Sequence, residues 1–137
     1  MLYKCKHFRI EELVDQETFE LLGENSWKLF DPTALRAIDV LRETFGSATI
    51  NDWVWGGRFK DSGYRSQKSK VGSMGSMHRQ GHAFDLKFKN ITSEEVRQAI
   101  KADEIFWKGL IGRIENNVSW LHIDTKNMPD AIRWFNP

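Results

Sequence analysis

HAFDLKF (residues 82–88) and SWLHIDT (residues 119–125) decide the architecture of this chain. Each alternates apolar and polar positions with the period of two that a half-buried β-strand requires. In the first, Ala83 and Asp85 share one face, and His82 and Phe84 the other. In the second, Trp120, His122 and Asp124 share a face, with His122 and Asp124 about 7 Å apart at their backbones. LIGRI (110–114) reads as a partner strand, linked to SWLHIDT by the turn-like ENN, and IRWF (132–135) as a last one. ATIND (48–52) is short, β-branched and strand-like.

Outward from these strands the texture is helical. FDPTALRAIDVLRETFG (30–46) is the clearest helix: Asp31 caps it, Pro32 fills the first turn where a missing N–H costs nothing, and Gly46 ends it. Leu35, Ile38, Leu41 or Arg42, and Phe45 fall at helical spacing and define its buried stripe. DQETFELLG (15–23) offers Asp15 as cap and Gly23 as stop. ITSEEVRQAIKAD (91–103) carries a capping box from Thr92 to Glu95. Between residues 53 and 81 glycine and serine accumulate, which signals a long irregular region, and such loops in compact domains commonly carry function. The expectation is an α+β fold with a small antiparallel sheet and helices packed on one side, in a single domain over residues 1–137. A mostly helical fold with a minimal hairpin is the other reading.

At 137 residues the chain suits one domain with a real core. Lys and Arg number 20 against 19 acidic residues, so no bulk basic field argues for nucleic acid or an anionic membrane. Basic residues never interleave with aromatics as a stripe, a second mark against nucleic acid. The single cysteine, Cys5, excludes an intrachain disulfide and reads as structural or incidental. In MLYKCKHFRIEELV (1–14) charges interrupt every apolar run, so neither a signal peptide nor a membrane span is expected. The protein is expected to be made in the cytoplasm, as a monomer.

Four histidines occur, His7, His78, His82 and His122, and only company makes a histidine informative. In SMHRQGHAFD (76–85) Asp85 follows His78 by seven positions. Zinc ligands must converge within about 2 Å of one point. On a strand, positions seven apart face opposite ways, and on a helix they lie about 10 Å apart along the axis. The backbone must therefore turn between them, and Gly81 is placed to allow it. His82 falls on the wrong face of the strand to join Asp85. His122 supplies a third donor. Two histidines and one carboxylate leave a position open, the pattern of a catalytic zinc site rather than a structural one. A polar edge strand beside an unrelated loop would give the same spacing without a metal.

SMHRQGHAFD followed by SWLHID resembles the S-x-H-x-x-G-x-A-x-D and W-x-H-x-D signatures of the zinc D-alanyl-D-alanine carboxypeptidases. That family shares its fold with cell-wall endopeptidases, many phage endolysins and the hedgehog signalling domain. HFRIEELVD (7–15), LRAIDVLRETFG (35–46) and SGYRS (62–66) resemble phage-encoded members in the same order, so the likeness covers nearly the whole chain. It implies zinc on His78, Asp85 and His122. It implies further that Arg65 binds substrate or steadies an oxyanion, as a fixed positive fork suits. Ser76 would hydrogen-bond the peptide and Trp120 would help bind it. For the general base, related enzymes place an acid three residues before the last histidine, where this chain has Ser119. Glu115 resembles the glutamate that precedes the W-x-H strand in phage members and is preferred as base, with Asp124 as the alternative base or as a residue orienting a ligand. Trp53 and Trp55, in NDWVWGGRF (51–59), are candidate walls of a peptide groove.

The implied activity is hydrolysis of a peptide bond in peptidoglycan stems or cross-links, as a D-Ala-D-Ala carboxypeptidase or an endopeptidase. The implied partner is a stem peptide or another D-Ala-D-Ala-containing peptide. A phage lysis enzyme acting on the wall after release fits, as does a virion component or a cytoplasmic dipeptidase. A non-catalytic binding domain that keeps the fold and metal is the competing class, and Ser119 is its motive.

Overall fold

A computed structural model of the chain describes residues 2–66, 76–126, 128 and 130–137. Helix α1 spans Gln16–Leu22 and α2 spans Pro32–Phe45. Helix α3 runs over Ser93–Ala102 and the single turn α4 over Glu104–Trp107. The strands are β1 (Ala48–Thr49), β2 (Ala83–Phe88), β3 (Arg113–Glu115), β4 (Leu121–Asp124) and β5 (Arg133–Phe135). They form one sheet in the order β1-β2-β4-β3-β5. The α+β expectation is met. Neighbouring strands run antiparallel except at one edge, where β5 lies parallel to β3 and makes the sheet mixed.

Local chemistry explains the element ends. Asp31 accepts a hydrogen bond from Ala34 N at 3.1 Å, Pro32 opens α2, and Gly46 closes it at φ 90°. The Thr92–Glu95 capping box starts α3 in both directions. Asp15 precedes α1 as expected, but its side chain makes no capping hydrogen bond. ATIND yields only two strand residues. Asn51 and Asp52 turn away to serve loops: Asn51 Nδ2 donates to Val14 O, and Asp52 Oδ1 accepts from Phe59 N. Of the irregular stretch expected over 53–81, residues 67–75 lie outside the described residues; the remainder is irregular apart from a short 3-10 turn at Trp53–Trp55 and a turn that ends at Gly81.

Strand alternation divides the sheet by chemistry. Phe84 and Leu86 of β2, with Leu121 and Ile123 of β4, enter one apolar core with Leu35, Ile38 and Leu41 of α2 and Val96 and Ile100 of α3. Phe84 stacks on Phe30 at 5.4 Å between ring centroids. The other face carries Asp85, Lys87, His122 and Asp124. The core thus fixes the strand phase, because a one-residue slip would bury the charged set. Among the described residues no helix is long and apolar enough to cross a membrane.

Candidate metal centre

Register places the first two donors. Asp85 of β2 lies directly opposite His122 of β4, and His122 Nδ1 sits 2.9 Å from Asp85 Oδ1. The third comes from the turn over residues 76–81. Gly81 adopts φ +74°, and a Cβ there would strike the Leu29 carbonyl, so the turn admits only glycine. Gly81 O also accepts from Asp31 N at 2.9 Å, tying the turn to the start of α2. His78 N donates to Ser76 Oγ at 3.2 Å within this turn.

The histidine rings are oriented from behind. His78 Nδ1 is 2.9 Å from Gly63 O, and a carbonyl only accepts, so that nitrogen carries the proton and Nε2 keeps its lone pair. That Nε2 lies 3.4 Å from Asp85 Oδ1. His122 Nε2 is 2.9 Å from Asp124 Oδ2, which leaves Nδ1 to face Asp85. Ligand atoms of His78, Asp85 and His122 all lie within 4.8 Å of one another, and the residues are buried or nearly so. Two ring nitrogens and a carboxylate oxygen converging in this way fit a metal ion.

Asp124 is fully buried and all its capacity is engaged. Arg113 grips it bidentately, Nε to Oδ1 at 3.0 Å and Nη2 to Oδ2 at 2.8 Å, and Lys126 N donates to Oδ1 at 3.1 Å. Arg113 stands opposite Asp124 in the β3–β4 register. Its guanidinium also lies 4.3 Å from the Phe135 ring centroid, and that ring meets His122 edge-on. The parallel strand β5 therefore buttresses the site. Neither Arg113 nor Phe135 was singled out from sequence. The signal for Arg113 was present, since pairing GRIE against HID as a hairpin brings it to Asp124.

The electrostatics follow the geometry. Burial alone would raise the Asp85 carboxyl, but hydrogen bonds from His122 and His78 and their charge hold it well below the usual carboxylate range. Burial alone would lower the His122 imidazolium. Hydrogen bonds to Asp124 and Asp85 overcome that and raise it to about 9. Asp124 is lowered against burial by His122 and Arg113.

Arg65 Nε donates to Asp61 O at 2.7 Å, and Nη2 reaches the outer oxygen of Asp85 at 3.4 Å. Its backbone N bonds His78 O at 3.2 Å, coupling it to the turn. Arg65, Ser76, Glu115 and Trp120 line, with the three donors, one open cleft of about 350 Å³. The Glu115 side chain makes no hydrogen bond or ion pair with another described residue, although its charge acts on Arg65. Asp124, the other candidate base, lies beneath the cleft rather than on it. Trp53 and Trp55 line neither this cleft nor its neighbour: Trp53 Nε1 donates to Val14 O at 2.7 Å, and Trp55 is exposed. His82 Nδ1 pairs with Thr125 Oγ1 at 2.8 Å, outside the donor set. Cys5 is half-buried against Leu35 O, and burial together with Asp39 pushes its thiol up, which makes it a poor nucleophile.

The family model described as peptidase M15 matches residues 6–124. The chain belongs to the peptidase M15 family. No curated protein and no solved structure gives a match. The resemblance to zinc D-Ala-D-Ala carboxypeptidases is thereby borne out at the level of the family. In this M15 peptidase the matched span contains all three donors and ends at Asp124, so the Phe135 buttress lies beyond it.

Proposed function

We propose that this M15 peptidase is a zinc enzyme that hydrolyses a peptide bond in bacterial peptidoglycan, as a D-Ala-D-Ala carboxypeptidase or an endopeptidase, in the service of phage lysis. The observation that carries the proposal is the convergence of His78 Nε2, Asp85 Oδ1 and His122 Nδ1 in a cleft shared with Arg65 and Glu115. Zinc held by these three atoms would acidify a water and polarise the scissile carbonyl. Glu115 takes the proton from the water and returns it to the leaving amine. The alternative base, Asp124, has Arg113, Lys126 N and His122 on its oxygens, so it is assigned the work of holding His122 in one tautomer and orientation. Arg65, anchored through Nε, presents the rest of its guanidinium to the oxyanion. Ser76 and Trp120 hold the peptide in the cleft.

Mass spectrometry of purified peptidoglycan fragments after incubation with the zinc-loaded protein tests this reading and names the bond. Cleavage that disappears with a chelator and returns with zinc is expected. Stoichiometric zinc with no product from any muropeptide would overturn it in favour of a binding domain, the reading that Ser119 in place of an acid favours.

A further inference from the structure

A second cleft of about 320 Å³ continues the first, and Arg65, Asp85 and Trp120 line both. It leads to Lys87. Lys87 lies two positions beyond Asp85 on the same face of β2, about 7 Å along the strand. Its ammonium donates to Ile50 O and to Ser62 Oγ, each at 2.7 Å, and sits 4.0 Å from the Phe59 ring centroid. Both oxygen partners are neutral. Among the described residues no carboxylate comes within ion-pair distance of this half-buried cation.

An ammonium taken from water is expected to find an anion. Here the surroundings make the demand larger, since Arg58 and Lys60 line the same cleft. Against these charges stand Asp61 and Asp85 in the cleft and Asp52 close enough for its charge to act on Lys87; Asp52 already accepts from Phe59 N, and Asp85 is committed to His78, His122 and Arg65. The two oxygen bonds fix where the ammonium points, while Phe59 and Trp120 give the cleft apolar walls. A rigid cation, apolar sides and an excess of positive charge suit a short side chain or chain end that carries a carboxylate.

We infer that the Lys87 cleft is a specificity subsite that binds a free carboxylate of the substrate, carried next to the bond cut at the metal centre. This rests on the peptidase reading above. The carboxylate has two possible sources: a C-terminal D-alanine, or the free carboxyl of an internal D-glutamate. Both put a negative charge one residue from a scissile bond, and about 7 Å of strand separates Lys87 from Asp85.

The test uses two matched pairs of acetylated peptides with the zinc-loaded 137-residue protein. One pair ends in D-Ala-D-Ala as free acid or amide. The other contains L-Ala-D-Glu with the glutamate carboxyl free or amidated. Wild type should prefer the acid in one pair by about tenfold in kcat/KM, mostly through KM, the size of one charge-assisted hydrogen bond. The pair that shows the preference identifies the source. Lys87→Met removes the charge at similar side-chain length and should erase the preference, bringing kcat/KM for the acid down to that of its amide; Lys87→Arg should retain part of it. Equal rates for acid and amide in both pairs, or a preference that survives Lys87→Met, would overturn the inference. Should Lys87→Met fail to fold by circular dichroism, the exposed double variant Arg58→Gln/Lys60→Gln takes its place, and an undiminished preference there counts against it equally. Calorimetric binding of the same peptides separates the two readings. Acid-selective binding without cleavage sinks the peptidase and keeps the subsite. Cleavage without acid selectivity does the reverse.

Discussion

At the scale of single residues, the site separates groups that would hold the metal from groups that would act on substrate. Asp124 touches neither cleft. It fixes His122 Nε2 from beneath while Arg113 fixes Asp124 in turn. Asp124→Asn keeps the shape but weakens the acceptor, so zinc affinity should fall by about 10- to 100-fold, the usual cost of losing such a support. Competition with a chromophoric chelator measures it, and unchanged affinity would show that Asp124 does not orient the ligand. Glu115→Gln should behave in the opposite way. It should retain close to one zinc per chain and lose turnover by about 10²- to 10⁴-fold, the range of general acid–base catalysis. An active Glu115→Gln enzyme would return the base to Asp124. His122→Ala should lose metal and activity together. His82→Ala should keep the metal, because His82 is paired with Thr125 rather than with the donor set.

At the scale of elements, the approach to β4 depends on helix α3. Arg97 is buried on α3, and its guanidinium donates to Trp120 O at 3.0 Å and to Val118 O at 2.9 Å. Ser93 Oγ at the head of the same helix donates to Ser119 O at 3.2 Å. These bonds place Trp120 in the cleft, with His122 two residues on. Arg97→Met would remove both bonds and should cost about 1.5–3 kcal/mol in chemical denaturation, the range for hydrogen bonds made by a charged group. A loss below half a kcal/mol would mean that water or the backbone replaces the guanidinium. Arg97 was not legible in the sequence, since the carbonyls it serves lie more than twenty residues away and leave no local pattern. The helices and strands were legible because caps and periodicity are local: Asp31, Pro32, Gly46 and the Thr92–Glu95 box stand where the spacing put them. The same holds for the phase of β2, which brought Asp85 to the site face and kept His82 off it. What local pattern could not carry was pairing. The parallel placement of β5, the shortening of β1 and the bidentate Arg113–Asp124 contact all arise from segments that meet only in the folded chain.

At the scale of the whole molecule, the metal donors come from three separated points, residues 78, 85 and 122, yet the apolar core is closed without them. Leu35, Ile38, Leu41, Phe84, Leu86, Val96, Ile100, Leu121 and Ile123 pack on the face of the sheet opposite the donors. On the donor face, His122 Nδ1 at 2.9 Å and Arg65 Nη2 at 3.4 Å already partner the two oxygens of the buried Asp85 carboxylate. The chelator-stripped protein should therefore stay folded, unlike small zinc domains whose fold is the metal site. Zinc should then act as a ligand that binds only the native state and stabilises it by mass action. At a free concentration one hundred times the dissociation constant this contributes about 2.7 kcal/mol. For a domain of this size each kcal/mol raises Tm by roughly 3–5 °C, so the expected rise is about 10 °C. Differential scanning calorimetry with and without zinc measures it, and His122→Ala supplies the control, with a shift near zero. A stripped protein that loses its far-ultraviolet dichroism at 25 °C would place the metal inside the folding nucleus and contradict a core that closes alone. Zinc binding with no rise in Tm would mean that the unfolded chain competes for the ion through its own histidines.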